Sequence, residues 1–338
     1  MGLFQYTVRR ILFLIMVLIG VTIAAFIISN TVPGDPLVAN LGQTAMSDPE
    51  IVERYERRWG LDRSLPEQYL IYMSNLLQGD MGTSIRSQRP VIDDLKQYFP
   101  ATFELATLAT LLSIIFGLIF GIISAVKRNK LIDHFVRAIS VTGISMPAFW
   151  LALMSLYLFY FLLDIAPGSG RLSADFSGFS LQTGFLIIDS ISAGRFDILK
   201  NALYHMILPA LVLAGATMGI ITRTVRSSLL DVMSQDYLRT ARAKGLNETV
   251  VIMKHALLNA LIPTLTIFGL SYGNLLGGTV LVESIFDYPG LGWYAYISAT
   301  TLDFPAIMGA TILIALVYSV MNLLVDVTYG IIDPRVRY

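Results

Sequence analysis

Residues able to carry out bond chemistry are sparse in this 338-residue sequence. Its three histidines, His134, His205 and His255, lie far apart with no metal-ligand spacing, and cysteine is absent. Composition therefore removes zinc–thiolate sites, disulfides and thiol nucleophiles. No lysine follows a glycine, so the phosphate-cradling Gly-x-x-x-x-Gly-Lys-Ser/Thr loop does not occur, and neither does Gly-x-Ser-x-Gly or His-Glu-x-x-His. The expectation is a chain that is no enzyme and binds no metal or cofactor of its own, leaving any ATP to a partner. The acids nearest the apolar runs, Glu104, Asp164, Glu283, Asp303 and Asp326, fall at the ends of those runs. Interfacial anchoring is their expected role, ahead of a proton or ion relay. Two patterns remain: a polar stretch from Ser234 to Leu246, and three glycines spaced by four, Gly269, Gly273 and Gly277.

The polar stretch reads Ser-Gln-Asp-Tyr-Leu-Arg-Thr-Ala-Arg-Ala-Lys-Gly-Leu. Ser234 is the expected N-cap with Asp236 in the first turn. Arg242 and Lys244 fall in the last turn, where cations suit the helix dipole, and Gly245 can close the helix in a left-handed conformation. These signals predict about three turns of helix. A second helix start follows, with Asn247 as cap and Glu248 in the first turn, running up to Pro263. Tyr237, Ala241 and Gly245 share one stripe, an aromatic knob followed by small residues, against which a neighbour can pack closely. On pattern alone a solvated connecting loop is the competing reading. The three spaced glycines permit close approach of another helix. Packing within the chain is the default there, and a pathway or dimer face is the sharper alternative.

These patterns must be held by a membrane protein. Hydrophobic residues make up 55% of the chain and charged ones 14%, with a mean hydropathy of +0.65, too apolar for a soluble domain. The net charge is zero, so no basic surface points to nucleic acid. Six spans are expected: 11–28, 105–126, 138–163, about 206–222, about 256–282 and 304–325. Thr7-Val8-Arg9-Arg10 ahead of the first span faintly resembles a twin-arginine export signal. Without a convincing small-x-small cleavage site, however, a retained signal-anchor helix is expected. Residues 31–99 differ in composition. Pro33 to Pro36 stop the first span, Glu50 to Trp59 form an amphipathic pattern, and Gly79 to Arg89 are turn-rich. Trp59, Tyr69, Leu70, Tyr72 and Leu76 give this segment something to bury, favouring a small folded cap over a disordered loop. Basic residues crowd one side of the spans, at Arg9 and Arg10, between Lys127 and Arg137, and between Arg223 and Lys254. By the positive-inside rule both termini and the polar stretch are expected to be cytoplasmic.

Motifs run from end to end: Val32-Pro-Gly-Asp-Pro36, Gly79-Asp-Met-Gly82 with Arg89-Pro90-Val91, Phe99-Pro-Ala-Thr-Phe-Glu-Leu105, Ser145-Met-Pro-Ala-Phe-Trp150, Asp236 to Leu246, His255-Ala-Leu, Pro289-Gly-Leu-Gly292, Asn322-Leu-Leu-Val-Asp326 and Asp333-Pro-Arg335. In these the sequence resembles the inner-membrane permease subunit (B-type) of the dipeptide/oligopeptide/nickel ABC importer family. The resemblance implies an all-α polytopic membrane protein with the type I ABC importer permease fold, set in the bacterial inner membrane. It also implies that the polar stretch is similar to the EAA loop that docks on an ATPase. On that reading Asp236, Tyr237, Arg239, Thr240, Ala241, Arg242, Lys244, Gly245 and Leu246 are the coupling residues. Ala241 and Gly245 match the general pattern. Arg239 and Thr240 stand where it has Glu and Ala, and His255 and Leu258 where it has Ile and Pro, departures that look like the peptide-permease version.

The implied partners are a second, related permease, two ATP-binding subunits carrying ATP and Mg, an extracytoplasmic binding protein and the lipid bilayer. Di- or oligopeptides are the implied cargo, with nickel, glutathione or another small solute as the alternative. Residues 31–99 and about 166–204 would form the outer mouth. The expected division is 1–30 for the N-terminus and first span, 31–99 for the cap, 100–330 for the permease core including the coupling segment 231–247, and 331–338 for the tail. Two other classes remain in view. An ion-coupled secondary carrier calls for inverted halves, interrupted helices and ionisable residues near mid-membrane, of which the sequence offers no convincing set. A structural or assembly factor is set aside only by the family resemblance.

Overall fold

The structure is a computed structural model and describes residues 3–31 and 49–332. Helices α1 (Leu3–Thr31), α4 (Val91–Val126), α8 (Phe196–Met233) and α15 (Phe304–Ile332) are the long apolar elements. Each contains enough uncharged residues to cross a membrane. Among the described residues there is no β-strand beyond a single bridge between Thr83 and Pro90. The motif Val32 to Pro36 and the segment 333–338 lie outside the described residues.

Helix α8 is the central rod. A β-carbon on Gly117 of α4 would overlap the Ile221 side chain, and one on Gly121 would overlap Val225. From the other side α5 (Leu131–Ser145) comes as close, with Gly143 against the Gly215 carbonyl and Gly219 against that of Ser140. Small residues thus let both neighbours lie backbone-to-backbone on α8, the usual substitute for hydrophobic driving force between helices in lipid. The main core forms around this contact from Leu105, Ala106, Ala109, Met206, Ala210 and Leu213.

Two of the expected spans are not single helices. The run 138–163 breaks between α5 and α6 (Ala148–Ser155), with a bend of 110°. Pro147 causes it: a residue preceding proline is driven out of the helical region, and Met146 sits at φ −84°, ψ 133°. α6 then widens into a π-helical segment, Leu156–Leu162. The run 256–282 is also divided. α10 (Glu248–Val250) passes through a π-helical Val251–Ala256 into α11 (Leu257–Ala260), then α12 (Ile262–Gly278) and α13 (Val280–Ile285). Pro263 stands in the first turn of α12, where its missing N–H costs nothing. Among the described residues four helices qualify as spans by length and composition, or five with the bent pair counted as one; α12 supplies a shorter apolar stretch, Ile267–Leu276.

Between α1 and α4, α2 (Pro49–Trp59) and α3 (Leu65–Leu77) dock on the bundle. Tyr72 is buried against Met308 and Ile312 of α15, with Phe26, Trp59 and Leu76 around it. Tyr69 stacks edge-on to Phe26 and shares a 2.9 Å hydrogen bond with Thr22. Leu70, expected to be buried with these, is exposed, because α3 turns that face away. The chain between the later long helices is folded too, with α7 (Leu186–Ser192) ahead of α8 and α14 (Leu291–Thr300) ahead of α15.

Two of the spaced glycines serve packing within the chain. Gly269 lies against Val325, and Gly273 against Tyr318 and Asn322, so the face seats α12 on α15. The surroundings of Gly277 lie outside the described residues.

Three of the five acids assigned to interfacial anchoring are instead buried and satisfied from inside. Glu283 accepts from Thr102 Oγ1 at 2.7 Å and from the Trp293 N–H at 2.9 Å. Glu104 takes Arg171 at 2.6 Å and the Ile187 N–H at 2.7 Å. Asp303 accepts from Ser84 Oγ at 2.6 Å and the Arg86 N–H at 3.2 Å. A buried carboxylate is tolerated only with such partners, and each of these pins a connecting segment to the helices. Asp326 pairs with Arg10 at 2.8 Å, while Asp164 is exposed with φ +50°.

Candidate functional site

The polar stretch forms α9 (Asp236–Ala243), two turns rather than three. Ser234 does not cap it. Its backbone continues the last turn of α8 at φ −82°, ψ −10°, and its hydroxyl donates back to the Asp231 carbonyl at 2.7 Å. Gln235, extended at ψ 146°, occupies the N-cap position without a side-chain bond. The other end follows the sequence reading. Arg242 is in the last turn, Lys244 closes the helix with its N–H on Thr240, and Gly245 is left-handed at φ +79°. Asn247 then caps the next helix by accepting from the Thr249 N–H at 3.0 Å.

One apolar side chain fastens α9 to the bundle. Leu238 is fully buried among Ala125 of α4, Leu229 of α8, and Val251, Ile252, Ala256 and Ala260 of the run beyond, with Ala241 partly buried beside it. The Tyr237 hydroxyl donates to the His255 carbonyl at 3.2 Å and accepts from Asn259 at 2.9 Å. The stripe Tyr237, Ala241, Gly245 is therefore partly used by the chain itself, and only Gly245 has open space where a side chain would be. Arg242 grips Glu248 through two bonds of 2.9 and 3.0 Å, closing the Gly245 turn. Those bonds hold the Glu248 carboxyl below its ordinary range and raise the guanidinium. The face turned outward carries Asp236, Arg239, Thr240, Lys244 and Leu246, with Arg239 only loosely paired to Asp236 at 3.2 Å.

Behind α9 a second node stiffens the region. Asp133 of α5 is buried and takes both Nε and Nη2 of Arg226 on α8, at 2.9 and 2.8 Å. It also accepts from Ser124 Oγ of α4 at 2.5 Å and from the Asn129 N–H at 2.8 Å. Three helices converge on this carboxylate. Sequence reasoning missed it, as it missed Leu238 and the Arg242–Glu248 pair, because none of these contacts follows a helical spacing.

Among the described residues this arrangement includes no cluster of metal-ligating side chains. It offers a braced, exposed, basic helix at one end of a helical bundle. Such a bundle, with its apolar rods and its surface helix, defines a polytopic all-α membrane protein. Comparison with known families makes the class specific. Residues 117–338 match the binding-protein-dependent transport system inner membrane component, and residues 3–106 match the N-terminal membrane component of the same systems. The chain belongs to that family. Among its relatives, a probable D,D-dipeptide transport system permease protein of Escherichia coli is 47% identical over 96% of this chain and 94% of its own length. A dipeptide transport system permease of Alkalihalophilus pseudofirmus is 43% identical over 98% and 99%. An oligopeptide transport system permease of Bacillus subtilis is 39% identical, also over 98% and 99%.

Proposed function

We propose that this chain is the permease subunit of an ATP-driven, binding-protein-dependent importer of di- or oligopeptides, forming half of the translocation path. The observation that carries the cargo is the near-full-length similarity to dipeptide and oligopeptide permeases from several bacteria. Cytoplasmic termini, a second related permease, two ATPases and an extracytoplasmic binding protein belong to the same reading. In it, α9 docks on an ATPase through Arg239, Thr240, Lys244, Gly245 and Leu246, while Leu238 and the Asp133–Arg226 node tie its movement to α4, α5 and α8. The segment 166–204, pinned by Arg171 to Glu104 and by the Gly170 N–H to the Phe286 carbonyl at 2.9 Å, forms the outer mouth together with the cap.

Gentle purification of a tagged chain tests the assembly: ATPases and a second permease should accompany it, and the neighbouring binding protein's ligand identifies the cargo. A chain that comes out alone and transports under an ion gradient overturns the reading in favour of a secondary carrier. Within the assembly, Gly245→Pro or Ala241→Trp should uncouple ATP hydrolysis from uptake, since one distorts the turn and the other displaces the helix from its seat.

A further inference from the structure

Between α5 and α8, at the end of the molecule that carries α9, lies a pocket of about 250 Å³ lined by Arg137, Arg223, Arg226, Thr222, Val141 and Ile144, with serines between them. Three guanidinium groups meet here against one carboxylate, Asp133. Arg226 spends two of its N–H groups on Asp133, and Arg137 lies 3.6 Å from the same acid and 2.6 Å from His134 Nδ1. A guanidinium carries five donors, so most of the donor capacity remains uncommitted. Arg223 is exposed and, among the described residues, has no ionic partner. The second observation is independent of charge: Thr222 is only 2% exposed, and its hydroxyl has no hydrogen-bond partner. A buried hydroxyl without a partner is costly, and Thr222 stands in the wall of this cationic pocket.

The level of the pocket narrows the ligand. Arg137 and Arg223 each stand at the end of a run free of Asp, Glu, Lys and Arg, residues 138–163 and 201–222. As helix the second run measures roughly 33 Å, about one hydrocarbon thickness, which sets both guanidinium groups at headgroup depth. Val141 and Ile144 form the wall nearer the apolar run. We infer that this pocket binds a phosphate oxyanion at the membrane surface, held by Arg137, Arg223 and Arg226 and by the Thr222 hydroxyl. The phosphodiester of an anionic lipid and free inorganic phosphate share that chemistry, and basic pockets between membrane helices suit the former. The inference is independent of the cargo.

The test uses the full chain in mild detergent, exposed to phosphatidylglycerol, phosphatidylcholine or inorganic phosphate, with bound molecules counted by native mass spectrometry. Phosphatidylglycerol should be retained over phosphatidylcholine. Arg223→Gln should cut that retention about 5-fold, whereas Arg128→Gln, which removes the same charge from the exposed α4–α5 turn, should change it less than about 2-fold. Thr222→Val, equal in size and lacking the hydroxyl, should also weaken retention with the fold intact. Displacement by millimolar inorganic phosphate would assign the site to a free anion, and persistence would assign it to lipid; both uphold the oxyanion. Equal effects of Arg223→Gln and Arg128→Gln, or no binding of either phosphatidylglycerol or phosphate, overturn it.

Discussion

The buried carboxylates of the bundle, Asp133 behind α9 included, and the surface helix α9 use charge in opposite ways. Away from α9, Glu283, Glu104 and Asp303 are buried, and each has dedicated donors within hydrogen-bond distance. Around α9 the pairs Arg239–Asp236 and Arg242–Glu248 stand in the open, and the helix is fastened by one leucine and a tyrosine hydroxyl. A buried ion is costly to strip of its partner, whereas an exposed pair contributes little. The buried carboxylates are therefore a set of locks that keep segments in register, and α9 is a replaceable polar surface on a small apolar foot.

The contrast should break most sharply at the buried carboxylates. Arg171→Met leaves Glu104 without its cation and should cost about 3–5 kcal/mol, visible as a lowered unfolding midpoint in detergent; an unchanged midpoint would dissolve the distinction between the two. Next comes the foot of α9: Leu238→Ala should cost about 2–5 kcal/mol locally and expose α9 to protease while the rest of the chain resists. Gly245→Ala meets no neighbour but must hold φ +79°, costing about 1–2 kcal/mol, and should sharpen the picture by weakening coupling more than global stability.

The smallest effect belongs to Arg242–Glu248. Because the Glu248 carboxyl titrates below its ordinary range when folded, the contribution of this pair is present above the unfolded pKa and is lost as pH falls through the folded one. Protection of the amides around Gly245, taken relative to the intrinsic exchange rate at each pH, should thus fall only under acid, and Glu248→Gln should lower it already at neutral pH by under about 1 kcal/mol and remove its acid dependence. Protection indifferent to acid would show that the pair contributes nothing.

Much of this was legible in the sequence. The apolar rods follow from composition, the close of α9 from Gly245, and the cap of the next helix from Asn247. Local signals failed where backbone or distance intervened. Met146 and Pro147 turn a continuous apolar run through 110°, which hydropathy does not register. Ser234 has cap chemistry, but α8 claims its backbone. Glu283 reads as an interfacial acid because its partner Thr102 lies 181 residues away, and Leu238 is one of a few apolar residues in a polar stretch until four other segments close over it.

The proline in α8 has a mechanical consequence. Pro209 interrupts the hydrogen-bond ladder near the end away from α9, leaving 210–233 as an unbroken lever arm of roughly 36 Å. A tilt of about 5° at that fulcrum sweeps the far tip through roughly 3 Å over such a length. Side chains interlocked at the tip would have to change partners over that stroke, so a rocking of that size near the proline would be enough to unseat α9.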